Sequence, residues 1–225
     1  MPVAGASPRI PASWLARCPR AGQPPAGHTA AELAALLQLL RAARATTIAI
    51  GHGRHPASAA AARALADAWT GATRTEPDAG RSGATRAEPD AGRTGATRAE
   101  PDAGRTGATR TEPNAGRAGG MVLDVVSYPP DAASWLRPAR RLARAQPDAW
   151  VIADNPAGCA QLARRLAGEP GWAAARTLGF ASVASVDLVD LAGPGLLDGM
   201  TGATPAGGTW RIDAGQLTPA GAGRR

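Results

Sequence analysis

Two kinds of apolar spacing alternate along the chain, and each predicts one kind of element. Thr29 and Glu32 have the spacing of a capping box. Four leucines then recur at helical spacing from Leu33 to Leu40, which predicts a helix over residues 30–44. By contrast, the run TTIAI is short, apolar and rich in β-branched residues, and this pattern is typical of a buried strand.

The same two patterns recur to the end of the chain. The predicted strands are Thr46–Ile50, Met121–Val126, Ala149–Ala153, Arg176–Ser182 and Thr209–Asp213. After the first helix, the predicted helices are Pro56–Trp69, one that carries Trp135, Leu136 and Leu142 with a kink at Pro138, Pro156–Leu166 and Val186–Leu191. Regular alternation of strand and helix predicts an α/β fold of the Rossmann-like, doubly wound kind, with a mostly parallel sheet and helices on both faces.

A low-complexity block interrupts this alternation between residues 71 and 118. A twelve-residue unit occurs there four times without a gap, beginning with GATRTEPDAGRS. The units contain no Leu, Ile, Val, Phe, Met, Trp or Tyr, so stacking one on the next would bury almost no apolar surface. The block is therefore predicted to be a disordered insert within the α/β domain.

The insert and the chain ends divide the sequence into five predicted parts. These are a flexible N-terminal region over 1–28, the first part of the α/β domain over 29–70, the insert over 71–118, the second part of the domain over 119–215 and a flexible tail over 216–225. The two outer parts of the domain together are long enough to build one ordinary hydrophobic core.

Charge and composition add little to this picture. The net charge is +7, and all 25 basic residues are arginine, a usage that GC-rich coding also explains. A positive charge favours polyanions such as nucleic acid. No apolar run reaches the roughly 20 residues that span a bilayer, and two cysteines are too few for a disulfide framework. We therefore expect a cytoplasmic protein without a membrane partner, and nucleic acid is a candidate partner.

Candidate chemistry lies where the predicted strands end, because ligands of open α/β sheets bind beyond the carboxyl ends of the strands. Three loops follow the first three predicted strands. Their candidate residues are Gly51, His52 and Gly53 in the first loop, Ser127, Tyr128, Pro129 and Pro130 in the second, and Asp154 and Asn155 in the third. These loops form the default site.

The glycines of the first loop admit two interpretations. Gly51 and Gly53 allow a nucleotide to approach the backbone, with the N-terminus of the next helix behind it. A tight turn from strand to helix needs the same residues. His52 is a candidate general base, but no ligand spacing accompanies it, so no metal site is predicted.

The strand MVLDVV with Ser127, Tyr128, Pro129 and Pro130 resembles, in permuted order, the Asp/Asn/Ser-Pro-Pro-Tyr/Phe motif of amino-methyltransferases. These enzymes transfer a methyl group from S-adenosyl-L-methionine (AdoMet) to exocyclic amines of DNA or RNA bases. The resemblance implies that the motif residues hold the target base and that Gly51 and Gly53 line the AdoMet cofactor. His52, Asp154 and Asn155 belong to the same predicted cofactor site.

Two functions are therefore expected from the sequence. The first is a Rossmann-like AdoMet- or nucleotide-binding protein, either a nucleic-acid amino-methyltransferase or a degenerate relative of one. The second is a non-catalytic, basic α/β interaction module that binds nucleic acid or a protein partner. AdoMet binding separates the two, because a ligand selective for the native state must stabilise it.

Overall fold

Helices and strands alternate through the described chain, which in the computed structural model comprises residues 23–71, 120–129 and 134–220. The helices are α1 (Ala30–Ala42), α2 (Pro56–Thr70), α3 (Leu136–Arg144), α4 (Pro156–Leu166) and α5 (Val186–Ala192). The strands are β1 (Thr47–Gly53), β2 (Met121–Tyr128), β3 (Ala149–Ala153), β4 (Thr177–Gly179), β5 (Thr201–Ala203), β6 (Thr209–Asp213) and β7 (Gln216–Ala220). Short 3-10 turns flank β4 at Ala174–Arg176 and Ala181–Val183.

The strands form one seven-stranded sheet in the order β2-β1-β3-β4-β5-β6-β7. The first five in chain order, β1 to β5, pair in parallel, and β6 and β7 add an antiparallel edge. The predicted α/β class with a mostly parallel sheet is therefore confirmed. The sheet takes β1 from one side of the repeat block and β2 from the other, so both parts of the chain build the same fold.

Helices cover both faces of the sheet, as the alternation predicted. On one face, α1 and α2 share a core with β1 that includes Leu36, Leu65 and Ile50. On the other face, α3, α4 and α5 form a second core with Trp150 and Ile152 of β3. Every residue of β3 is buried, as expected for a central parallel strand covered on both sides.

Polar caps define where the helices begin. The Thr29 hydroxyl accepts a hydrogen bond from Glu32 N, and Thr29 N donates to Glu32 Oε2, so the predicted capping box of α1 is confirmed. Asn155 caps α4 by accepting from Gly158 N at 2.7 Å, with Pro156 at the first helical position. His55 occupies the capping position of α2.

Two strands extend beyond their predicted ends. β1 continues to Gly53 and not only to Ile50, and β2 continues to Tyr128 and not only to Val126. The reason is mutual pairing, since Gly51 pairs with Val126, and Gly53 with Tyr128. The predicted turn at residues 51–53 was therefore wrong, and the chain leaves β1 only at Arg54.

Two strands were absent from the prediction. β5 has three residues, too few for a pattern, and β7 lies within the predicted flexible tail of 216–225. The tail prediction was wrong for residues 216–220, because a tight turn folds this segment back on β6. Ala214 and Gly215 both have positive φ, at 48° and 70°, as the turns of two-residue hairpins require. Residues 221–225 lie outside the described chain.

The remaining expectations concern Pro138, the N-terminal region and the repeat insert. Pro138 is the third residue of α3, where a missing N–H costs no helical hydrogen bond, so the predicted kink was wrong. At the N-terminus, Pro25 is buried although it lies within the predicted flexible region of residues 1–28. The repeat insert beyond residue 71 lies outside the described residues. None of the described helices is both long and apolar enough to cross a bilayer.

Candidate functional site

The predicted site lies at the carboxyl edge of β1 and β3, where the connections of the sheet change direction. The chain leaves β1 for α2 on one face and leaves β3 for α4 on the other. In the flavodoxin-like strand order, this is the point at which a crevice opens and ligands bind. The question is what fills this crevice here.

The two glycines of β1 serve packing in the strand. A Cβ on Gly51 would lie 3.1 Å from the side chains of Ile152 and Leu142. Glycine therefore leaves room for these core side chains to pack against β1. A Cβ on Gly53 would overlap the carboxyl group of Asp154, and a Cβ on Gly158 would overlap it from α4. The predicted cofactor site placed Gly51 and Gly53 in a loop, but both residues lie within β1.

Asp154 therefore occupies the crevice between β1 and β3 with its own carboxyl group. It is 4% exposed, and its Oδ1 accepts a hydrogen bond from Asn155 N at 2.8 Å. Its Oδ2 is buried and has no hydrogen-bond partner among the described residues. Burial raises the pKa of Asp154 to about 6, although the Asn155 N–H and the Tyr128 hydroxyl favour the charged form.

Tyr128 faces this carboxyl group from β2. Its side chain is 1% exposed and packs edge-on against Trp135 with ring centroids 5.1 Å apart. Its hydroxyl lies close enough to Asp154 to act on that carboxyl group, but it forms no hydrogen bond of good geometry in the described chain. Burial raises its pKa well above the ordinary value, and the charge of Asp154 adds to this. The buried thiol of Cys159 lies near, and burial and Asp154 raise its pKa as well. All three groups of this cluster are buried, and burial favours the protonated form of each.

The remaining predicted residues do not join this cluster. Ser127 is exposed on β2 and points away from Tyr128, as neighbouring residues of a strand do. Pro129 is half-buried after the strand, and Pro130 lies outside the described residues. Ser127 and Tyr128 are thus strand residues and not the target-holding loop of the methyltransferase motif.

His52 and Asn155 have local partners. The His52 ring is half-buried, and its Nδ1 lies 2.8 Å from the carbonyl oxygen of Gly53. The Asn155 side chain caps α4. Within the described chain, no group of three or more His, Cys, Asp or Glu side chains is arranged to hold a metal ion.

A second site at the same edge of the sheet was not predicted. A cavity of about 330 Å³, here called the edge cavity, lies between the N-termini of α1 and α2 and the segments that follow β4 and β5. Its lining includes His28, Glu32, Ser58, Ala61, Phe180 and Pro205. It opens on the face covered by α1 and α2, whereas Tyr128 and Cys159 belong to the core of the other face.

Polar contacts hold the walls of the edge cavity in place. The Thr29 hydroxyl donates to Pro205 O at 2.6 Å, which ties α1 to the segment after β5. Glu32 Oε1 accepts from Ala181 N at 2.5 Å, which ties α1 to the segment after β4. Glu32 is only 2% exposed, and burial raises its pKa above the ordinary value. These long-range bonds fix the cavity as part of the fold.

Among the described residues that line the edge cavity, Ser58 is the one with a buried side-chain polar atom that has no hydrogen-bond partner. It is 2% exposed, and its hydroxyl has no hydrogen-bond partner. One signal in the sequence could have identified Ser58, because it is a polar residue on the same helical stripe as the buried Ala61, Ala62 and Leu65. A polar residue on an apolar stripe marks either a satisfied core group or a binding group.

The fold and its edge cavity define an α/β domain with a small cavity at the carboxyl edge of a mostly parallel sheet. No protein-family model matches the chain, and no curated protein matches it. One similar solved structure is of a protein classed as a branched-chain amino acid ABC transporter from Rhodospirillum rubrum, with 14% identity and a TM-score of 0.49. Another is Rp1789 of Rhodopseudomonas palustris, with 12% identity and a TM-score of 0.48.

Each of these two alignments covers 77% of this chain and 36% of the other. The chain therefore spans about a third of the length of the solved structures that it resembles. Identities of 12% and 14% leave the ligand of this chain to be argued from its own residues.

Proposed function

We propose that the chain is a binding domain for a small polar molecule, which it holds in the edge cavity. The observation that carries this proposal is the hydroxyl of Ser58, which is buried beside an open cavity without a partner in the described chain. Buried polar groups are nearly always hydrogen-bonded, and leaving one unpaired is costly. A bound ligand supplies the missing partner.

The size and place of the cavity support the proposal. A volume of about 330 Å³ falls at the small end of the range found for ligand sites. The carboxyl edge of a parallel sheet is also where ligands of this fold class bind. By contrast, the crevice between β1 and β3 is filled by the carboxyl group of Asp154, as the overlap with Gly53 and Gly158 demonstrates.

Binding is favoured over nucleophilic catalysis by the arrangement of the polar side chains. Ser58 and His28 both line the edge cavity, but within the described chain the Ser58 hydroxyl makes no hydrogen bond to His28 or to another base. An activated serine requires such a contact with a base that is itself oriented. The oxygens of Glu32 accept from the backbone of Thr29 and Ala181 and so are engaged elsewhere.

AdoMet or nucleotide binding, with or without methyl transfer to nucleic acid, stays a prediction from the sequence. The same holds for the interaction module that binds nucleic acid. AdoMet is therefore one of the compounds to be tested against the full chain. Stabilisation by AdoMet that persists when the edge cavity is filled would favour the crevice at β1 and β3 over the edge cavity.

The test of the proposal combines a ligand screen with a variant that fills the cavity. Thermal unfolding of the full chain is measured against a library of small polar metabolites that includes AdoMet, and ligand binding is expected to raise the melting temperature. Ala57→Trp places a large ring in the cavity wall and is expected to abolish the shift. Ala64→Trp, a half-buried position on the same helix outside the cavity, is the matched control. Shifts that survive Ala57→Trp would contradict the proposal.

A further inference from the structure

We propose that the edge cavity recognises its ligand through an anionic group, a carboxylate or a phosphate, which accepts hydrogen bonds from the hydroxyl and N–H of Ser58 at the start of α2. This inference rests on the proposed function and names the chemistry of its ligand. The neutral alternative, a hydroxyl or amide on the ligand, becomes an outcome of the test.

The donors that carry the inference belong to one residue. Ser58 is the third residue of a fifteen-residue helix, a position whose N–H has no acceptor within the helix. The N–H of Ala57 is accepted by the ring of His55 at 3.3 Å, whereas in the described chain neither the N–H nor the hydroxyl of Ser58 has an acceptor. Ser58 is also 2% exposed and lines the edge cavity, so water does not freely satisfy it.

The charge of the two helices that meet at the cavity favours an anion at α2. A helix N-terminus carries a partial positive charge that acidic residues in the first turn neutralise. The first turn of α1 contains Glu32, whose two oxygens accept from Thr29 N and Ala181 N. The first turn of α2 contains no acidic residue. An anion beside Ser58 would give α2 the counter-charge that Glu32 gives α1.

Glu32 sets a second property of such a site. His28 and Glu32 are the titratable residues in the cavity lining, and the charge of His28 acts on Glu32. A charged Glu32 repels a bound anion, and a protonated Glu32 does not. We expect anion affinity to fall as pH rises through the raised pKa of Glu32, because the carboxylate that forms then repels the bound anion.

Matched pairs of probes test the inference on the full chain. Lactate is compared with its uncharged amide, lactamide, and glycerol 3-phosphate with glycerol, at constant ionic strength, by isothermal titration calorimetry or NMR. At least one anion is expected to bind about tenfold or more tightly than its uncharged partner, since hydrogen bonds to a charged acceptor are the stronger ones. Lactate and glycerol 3-phosphate separate carboxylate from phosphate as the preferred group.

Variants locate the binding. Ser58→Ala is expected to weaken the anion about tenfold to a hundredfold, in line with loss of a hydrogen bond to a charged group. It should leave the melting temperature equal or higher, because it removes an unsatisfied buried hydroxyl. Ser127→Ala, an exposed serine on β2, is the control and should bind as the natural chain does. Glu32→Gln should flatten the pH dependence of the affinity.

The outcomes distinguish this inference from the function on which it rests. If lactamide or glycerol binds as well as its anionic partner and Ala57→Trp abolishes that binding, the anion proposal fails and the binding function stands. If neither anion binds while uncharged library compounds do, the anion proposal fails in the same way. If no compound of the library or of the pairs binds in a manner that Ala57→Trp abolishes, both proposals fail. Anion binding that Ser58→Ala leaves unchanged also overturns the anion proposal.

Discussion

The Tyr128 hydroxyl and the Asp154 carboxyl group lie together in the core although β1 separates their strands in the sheet. Gly53 of β1 makes this possible. It pairs with Tyr128 of β2, and its missing side chain leaves the space that the carboxyl group of Asp154 fills. Each group favours a neutral Tyr128 beside a charged Asp154. The charge of Asp154 raises the pKa of Tyr128, while the Tyr128 hydroxyl lowers the pKa of Asp154 against the larger effect of burial. The cluster therefore exchanges a proton near pH 6.

The raised pKa of Asp154 predicts that stability falls as pH rises. Because the folded state holds this proton more tightly than the unfolded state, stability is fully present below about pH 4 and declines until about pH 6. Asp154→Asn keeps the shape without the charge and is expected to raise the free energy of unfolding at pH 7.5 by about 1–3 kcal/mol. Urea unfolding at pH 4 and pH 7.5 measures it.

The control for this prediction is Asp190→Asn, since Asp190 is exposed on α5. This variant should follow the pH profile of the natural chain. An Asp154→Asn protein that is less stable than the natural chain at pH 7.5 would mean that the carboxylate has a partner that compensates its burial.

Tyr128→Phe removes the hydroxyl beside Asp154 and keeps the ring that packs on Trp135. Because the hydroxyl favours the charged carboxylate, its loss is expected to raise the pKa of Asp154 above its value of about 6. An NMR titration of the Asp154 side chain in both proteins measures the change. A pKa that stays the same or falls would show that the hydroxyl does not act on this carboxyl group.

Asp148 predicts the opposite pH dependence at the other edge of the sheet. Its Oδ2 accepts from the backbone and hydroxyl groups of Thr46 and Thr47, and these bonds hold its pKa well below the ordinary value. The stabilisation is therefore present above about pH 4 and is lost as pH falls further. Asp148→Ala is expected to cost about 1 kcal/mol at pH 7, a small value because the residue is exposed to solvent.

Thermal unfolding at pH 7 and pH 3 checks this prediction, and the difference between Asp148→Ala and the natural chain should shrink at the lower pH. Asp190→Ala is the control and should change little at either pH. A loss that is equal at both pH values would assign the effect to packing and not to the charge of Asp148.

Local patterns in the sequence predicted most elements of the fold because strands and helices here obey short-range rules. The capping box at Thr29 and the cap at Asn155 placed the starts of α1 and α4 correctly. The errors arose where pairing between strands determines the local structure. Gly51 and Gly53 are typical of a turn, yet they lie in a strand because β2 and β3 pair with β1 on either side. The turn at Ala214 and Gly215 depends on a backbone conformation that alanine rarely adopts.

The candidate site was only partly predictable for the same reason. Asp154 follows β3, so the rule that ligands bind beyond the carboxyl ends of strands selected it, although its carboxyl group proves to fill the crevice. The edge cavity joins His28 and Glu32 to Ser58, Phe180 and Pro205, which are far apart in sequence. Local sequence patterns cannot predict that these residues lie together, because their proximity depends on the strand order of the sheet.

The ends of the repeat block predict that the number of its units matters little to the fold. Gly120 N donates to Trp69 O at 2.9 Å, and the absence of a side chain on Gly120 leaves room for the Trp69 indole, so the described residues on either side of the repeat block lie next to each other. Deleting residues 83–106 removes two of the four units. Loop-closure entropy changes by only about 0.6 kcal/mol when a loop is halved, so the free energy of unfolding should change by less than about 1 kcal/mol. Urea unfolding measures the change.

The matched control for the deletion is Gly120→Leu. This variant should cost about 1–3 kcal/mol, because its side chain collides with Trp69. A deletion more damaging than Gly120→Leu would show that the repeats themselves stabilise the α/β domain.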